Sequence, residues 1–171
     1  MLQIRKGVFE TNSSSTHSIC IAKDVEVSIP RSIHFSFGEF GWERDTLSTP
    51  LEKASYLYTG LVANDRMEDV NNIINTLTGM GIEVSKEEPE FEQRSYKNSE
   101  GELVTYTHSD NGYVDHSNEL GGFLDAVCGD EKQLISYLFS HLSFIITGND
   151  NDEYDVDIEV SYPHEEYYKG N

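Results

Sequence analysis

The sequence predicts an α+β fold, a largely antiparallel sheet with two helical pairs packed on it. Two observations carry this. Period-two and period-3.6 apolar patterns follow one another as strands, two helices, strands, two helices, strands. Their alternation is too irregular for a doubly wound parallel sheet. The chain of 171 residues, 37% hydrophobic and 11% aromatic, suits a single domain over 1–171 with one core. The aromatic share also argues against disorder.

The elements follow in chain order. Residues 2–10 alternate, with Leu2, Ile4 and Val8 on one face, and predict a strand. "HSICIA" alternates again, so the two segments predict a hairpin across the serine-rich turn between them. "VEVSIP" and "SIHFSFG" predict short strands parted by Pro30. "TPLEKASYLYTGLVAND" predicts a helix capped by Thr49, with Pro50 at its first position and Glu52 three beyond the cap. Leu51, Ala54, Tyr58, Leu61 and Val62 form its apolar stripe. A second helix starts near Asp65, faces inward through Met67, Val70, Ile73, Ile74 and Leu77, and ends at Gly79 and Gly81.

"IEVS" predicts a strand, and residues 86–108 a hairpin turning at "NSEG". "SNELGGFLDAVCG" is a short helix weakened by Gly121 and Gly122. "DEKQLISYLFSHL" is a better one, capped by Asp130, with Leu134, Ile135, Leu138 and Leu142 inward. "SFIIT" predicts a central strand and "YDVDIEVSY" an alternating one, and a polar tail runs from about residue 164.

Charge is the strongest global property, with 12 basic against 31 acidic side chains for a net −19. It is uneven. Residues 1–85 hold 7 Lys/Arg and 11 Asp/Glu (−4), and residues 86–171 hold 5 and 20 (−15). Such a field repels nucleic acid and anionic membrane and attracts basic surfaces. Cys20 and Cys128 lie far apart without a CxxC, so reduced thiols are expected. With no long apolar run or signal-peptide pattern, a soluble protein of the cytoplasm is expected.

"FETNSSSTHSICIAKD", residues 9–24, is the segment richest in chemistry. Arg5, Lys6, Ser13, Ser14, Ser15 and His17 form the most basic neighbourhood of the chain, and hydroxyls with free backbone N–H groups make an anion cradle for phosphate or nucleotide. The P-loop pattern is absent. Ser15 or Ser18 as nucleophile with His17 as base is a weaker reading. Ser18 points away from its neighbour on a strand, and no GxSxG elbow is present. A turn whose Asn and Ser side chains satisfy their own backbone accounts for the same residues. No catalytic residue is assigned and no cofactor is expected.

The string "RKGVFETNSSSTHS" resembles the opening of small bacteriophage and Firmicutes proteins of no assigned activity. The resemblance covers about fifteen residues. It implies a viral or mobile-element source and transfers no functional residue.

His108, Asp110 and His116, with Asp115 nearby, offer nitrogen and oxygen ligands for zinc or manganese, although HExxH is absent and a solvated loop has the same composition. "NDNDEYDVDIE" lacks the EF-hand glycine. Two acidic rows are more informative: Glu88, Glu90 and Glu92, and Asp155, Asp157 and Glu159. Same-face residues on a strand lie roughly 6.6–6.8 Å apart, a spacing able to imitate a phosphate track. A charged edge also deters aggregation, but that does not explain why the charges are so nearly all acidic. These rows, flanked by Tyr154, Tyr162, Tyr167 and Tyr168, are the expected contacts for a basic protein partner, such as a nucleic-acid-binding host defence protein of the CRISPR or restriction kind. The second reading is an enzyme or nucleotide-binding protein using the Ser13–Ser18 loop.

Overall fold

The computed structural model describes residues 15–23, 26–149 and 166–170, and an α+β architecture is what it contains. Four strands form the main sheet in the order β10–β1–β9–β4, antiparallel throughout. They are β1 (Ser15–Ile21), β4 (Asp45–Leu47), β9 (Phe144–Asn149) and β10 (Glu166–Gly170). The register sets Ile19 opposite Ile145 and His17 opposite Thr147. One face of β1, namely Ser15, His17, Ile19 and Ile21, is buried.

Helix α1 (Pro50–Ala63) starts on the expected capping box. The Thr49 hydroxyl accepts from the Glu52 N–H, and the Glu52 carboxylate accepts from the Thr49 N–H at 2.9 Å. These bonds outweigh desolvation and hold the Glu52 carboxyl below its ordinary range. Residues 53–62 of this helix are all buried, so it runs through the core instead of along it. Helix α2 (Met67–Gly79) is amphipathic as expected, burying Val70, Ile73 and Leu77. After a 3-10 turn at Ser117–Leu120 come α3 (Gly121–Gly129) and α4 (Glu131–Phe139), the latter capped by Asp130. One apolar cluster joins these helices to Ile19, Ile21 and Ile145 of the sheet, with Tyr56, Phe123 and Tyr137 at its centre.

Three two-stranded ribbons complete the fold. β2 (Ser32–Phe35) pairs parallel with β5 (Glu83–Lys86), and β3 (Glu39–Phe40) parallel with β8 (Tyr113–Val114). The third, β6 (Phe91–Lys97) with β7 (Leu103–Ser109), is the expected hairpin. Every residue of β6 is exposed, whereas β7 contacts α1 and buries the Ser109 hydroxyl, so the hairpin is an arm exposed along β6.

Four expectations are corrected. β1 is an inner strand held by β9 and β10, not one arm of a hairpin with residues 2–10, which lie outside the described residues. Residues 26–30 of "VEVSIP" form no strand. Leu142 is 40% exposed, because Ser140 leaves helical geometry (φ −72, ψ 132) and α4 stops before the apolar stripe reaches it. The C-terminal tail contains β10, since a backbone ladder needs only N–H and C=O groups and tolerates a polar sequence. The alternating segment 154–162 lies outside the described residues.

Candidate functional site

β1 begins at Ser15, so Ser15 and His17 share a face as a two-residue spacing requires, and both are fully buried. The His17 ring is held from both sides. Nε2 lies 2.7 Å from the Asp115 carbonyl oxygen, and Nδ1 lies 2.9 Å from the Tyr56 hydroxyl. A carbonyl only accepts, so Nε2 carries the proton and Nδ1 accepts from Tyr56. Burial lowers the His17 pKa from 6.5, against an opposing pull from the Asp115 carbonyl, and the ring is neutral at pH 7. Burial likewise raises the Tyr56 phenol far above its ordinary value and keeps it a donor.

This tautomer decides the chemistry. The nitrogen nearest Ser15 is Nε2, at 3.4 Å from Oγ, and it has no lone pair to take the serine proton. A neutral imidazole also brings no positive charge to an anion. The ring therefore acts as a three-way tie between β1, α1 and the turn after β8. Gly41 (φ +112) closes over it. A Cβ there would sit 2.8 Å from His17 Cε1 and 2.9 Å from Asp115 Cβ, so both the backbone conformation and the space call for glycine. Arg5, Lys6, Ser13 and Ser14 lie outside the described residues.

Two of the three metal candidates have described side chains, and each has an ionic neighbour. Asp110 accepts from Arg94 Nη2 at 2.7 Å, and His116, in the left-handed region at φ 52, lies 3.6 Å from Glu119. The His108 backbone pairs with Glu92, and its side chain lies outside the description. Among the described residues no group of three His, Cys, Asp or Glu side chains is placed to hold a metal.

Of the acidic candidates, Glu88 and Glu90 precede β6, and only Glu92 lies within it. Glu88 is 81% exposed and pairs with Lys86 at 2.6 Å, while Glu92 lies 3.6 Å from Arg94. The Glu90 backbone closes the base of the arm, its carbonyl accepting from the Asp110 N–H at 3.0 Å and its N–H donating to the Asn111 side chain. Beside these acids the arm exposes Phe91, Leu103, Tyr96 and Tyr106, the last two packed edge to face at 6.0 Å. Tyr154, Asp155, Asp157, Glu159 and Tyr162 lie outside the described residues. Tyr167 and Tyr168 belong to β10, opposite Cys20 and Ile19.

Sequence reasoning missed Lys53. Its side chain is fully enclosed, and Nζ donates to the Ser140 carbonyl at 2.6 Å and the Ser143 carbonyl at 3.0 Å, satisfying acceptors just past the end of α4. Burial brings its pKa down to about 8, with Glu52 pulling weakly the other way. The signal was its setting: one lysine beside "ASYLYTGLV", a helix stretch with no other charge. Arg66 was missed too. It bridges Asp69 at 2.6 Å and Asp125 at 2.7 Å and so ties α2 to α3. The chain matches no known family model, and neither curated proteins nor solved structures are detectably similar to it.

Proposed function

We propose that this chain is an acidic binding protein that occupies the nucleic-acid groove of a basic partner and blocks it by nucleic-acid mimicry. A host defence nuclease of the CRISPR or restriction kind is the partner class this chemistry fits, which makes the chain a phage-type inhibitor working inside the host cell. The observation that carries the reading is the projecting β6–β7 arm, exposed along β6 and rooted among carboxylates, on a chain of net charge −19. Residues 86–110 hold three basic side chains (Lys86, Arg94, Lys97) against seven acidic ones (Glu87, Glu88, Glu90, Glu92, Glu100, Glu102, Asp110), a balance of −4. Exposed Tyr96, Tyr106 and Phe91 supply the aromatic area that protein contacts favour. The commitment of both His17 nitrogens inside the core leaves the serine–histidine reading without a base. Among the described residues no helix is long and apolar enough to cross a membrane.

The test is displacement of a labelled DNA duplex from a CRISPR or restriction nuclease, followed by fluorescence anisotropy across a salt series. Long-range attraction between exposed charges is screened over roughly 10 Å at 0.1 M salt, so displacement weakens as salt rises. Asp155→Asn, Asp157→Asn and Glu159→Gln together reduce it far more than any one of them, because each screened contact is small. Glu88→Gln with Glu92→Gln reduces it less, since Lys86 and Arg94 already offset those charges. Equal displacement by wild type and the triple variant would show that those carboxylates are only a solvated face. No displacement from any such nuclease would end the mimic reading.

A further inference from the structure

We propose that the Asn111–Gly112 bond is a site of slow covalent self-modification, in which Asn111 closes on the Gly112 nitrogen to a succinimide and opens to aspartate or isoaspartate, and that the isoaspartyl form loosens the root of the β6–β7 arm. The first reason is in the sequence. Asn111–Gly112 is the only asparagine–glycine pair among 171 residues. Glycine has no Cβ, so nothing on it hinders the approach of its backbone nitrogen to the side chain before it. The fold also requires this glycine. A Cβ at 112 would sit well inside contact distance of the Gly38 carbonyl, so packing keeps the pair in place.

The second reason is the setting of the asparagine. Asn111 follows the end of β7 and is only half-buried, so water reaches it. Its side-chain oxygen accepts from the Glu90 N–H. A donor on that oxygen draws charge from the carbonyl carbon and stabilises the oxygen as attack makes it negative. The reaction balances with water as its only co-reactant. The Gly112 nitrogen bonds to the Asn111 Cγ and gives its proton to water or hydroxide. The Cγ–Nδ2 bond breaks and ammonia leaves. Water then opens the ring. Cleavage of the new Cγ–N bond gives aspartate in an ordinary main chain, and cleavage of the original C–N peptide bond gives isoaspartate.

The two products act differently on the arm. Two backbone bonds fix the segment at its root: the Asp110 N–H donates to the Glu90 carbonyl and the Tyr113 N–H to the Gly38 carbonyl, each at 3.0 Å. Aspartate leaves the chain between them at its old length and keeps an oxygen for the Glu90 N–H. Isoaspartate routes the main chain through Cβ and Cγ. That adds one backbone atom between the two bonds, where Gly112 already lies against the Gly38 backbone. The lengthened chain cannot keep both bonds, and the Arg94–Asp110 pair at 2.7 Å borders the same stretch. This concerns the attachment of the arm and stands or falls separately from the mimic reading.

The test is to hold the full chain at mildly alkaline pH, where hydroxide takes the Gly112 proton more readily, and to map its peptides by mass spectrometry at intervals. In the native protein Asn111 is converted several-fold faster than any other asparagine. Its peptide gains the mass of an oxygen in place of NH and splits into two forms, of which isoaspartate is identified by enzymatic carboxyl methylation. Hydrogen exchange of the aged wild type, which needs no variant, speeds up at residues 90–91 and 109–113 and stays unchanged in α1 and α2. Asn111→Gln keeps an amide oxygen but would have to close a larger ring, so it stays unconverted and ages without a change in exchange. Asn111→Asp supplies the charge without the altered main chain and exchanges like fresh wild type. Melting temperature checks both folds. A native chain that keeps Asn111 intact while the urea-unfolded chain converts it shows a fold that protects the bond, and overturns the proposal. So does conversion spread evenly over the asparagines, isoaspartate that leaves exchange at the arm's root as it was, or an Asn111→Asp variant as loose as the aged protein.

Discussion

Lys53→Met is the most informative single substitution, because its effect on stability must depend on pH in a calculable way. The wild-type ammonium is fully enclosed, and its pKa is about 8 against an ordinary 10.5. Between those values the unfolded chain binds a proton that the folded chain has shed. Stability contributed by this group therefore rises with pH, by at most about 3 kcal/mol over the whole window. From pH 7 to pH 9.5 linkage returns about 2 kcal/mol of it. The uncharged amine still donates to the Ser140 and Ser143 carbonyls, so those bonds survive the titration.

Methionine keeps the unbranched shape but donates nothing. It removes a donor from the enclosed Ser143 carbonyl and leaves the Ser140 carbonyl with the longer bond from the Ser143 N–H at 3.3 Å, at about 1–3 kcal/mol for each lost bond and independent of pH. Other groups titrate in the same range with the opposite sign. Burial pushes the Cys128 thiol up to about 11 and the Tyr58 phenol up to about 12, so each lowers stability once pH passes the point where the unfolded group ionises. These losses occur in both proteins and cancel in the difference. The assay is urea unfolding of wild type and variant at half-unit steps from pH 7 to 9.5. The stability gap should widen in favour of wild type by about 2 kcal/mol. A gap that stays constant with pH would show that the lysine is not carried into the core as a desolvated cation.

Two further substitutions probe the polar tie and the strand crossing beside it. His17→Phe orphans the Tyr56 hydroxyl and the Asp115 carbonyl and should cost about 2–4 kcal/mol at pH 7. Because the folded pKa of His17 lies below 6.5, wild type loses stability as pH falls through and below that value, and the variant should lack this component; urea unfolding at pH 7 and pH 5 reads both effects. Gly112→Ala would place a Cβ well inside contact distance of the Gly38 carbonyl, the acceptor of the Tyr113 N–H at 3.0 Å. It should lower stability by about 1–3 kcal/mol, measured by thermal melting.

The local signals were the legible part of this fold. Thr49, Pro50 and Glu52 announce α1, Asp130 announces α4, and "NSEG" announces the arm, because each acts through hydrogen bonds spanning a few residues. At the arm's turn the Asn98 side chain accepts from the N–H groups of Glu100 and Glu102. What stayed hidden is non-local. β1 and β10 meet across almost the whole chain, and nothing in a polar segment names its distant partner. Leu51 is exposed while Tyr56 and Leu57 are buried, since a helix enclosed on most sides carries no single stripe to read. The serine–histidine segment was half legible. Its two-residue spacing foretold a shared face, but the partners that set the histidine's tautomer, Tyr56 and the Asp115 carbonyl, come from far along the chain.

Those partners bear on function as well as on folding. Catalytic sites keep polar groups in reserve, with perturbed pKa values and hydrogen-bonding capacity aimed at a substrate. The described interior does the reverse. His17 uses both ring nitrogens, Lys53 caps two carbonyls, Tyr137 donates to the Lys53 carbonyl at 2.8 Å, Tyr58 to the Glu87 carbonyl at 2.6 Å, and Thr147 to the Glu43 carbonyl at 2.9 Å. Among the described residues, the Ser109 hydroxyl is the single buried side-chain polar atom without a partner. The shifts at His17, Lys53 and the tyrosines therefore report groups sealed in place, and desolvation, not a neighbouring charge, is the largest cause of each. Groups held this way stabilise one conformation. The exposed carboxylates and aromatic side chains of the described chain lie instead on its surface, along the β6–β7 arm, and that is where the proposed binding function places its contacts.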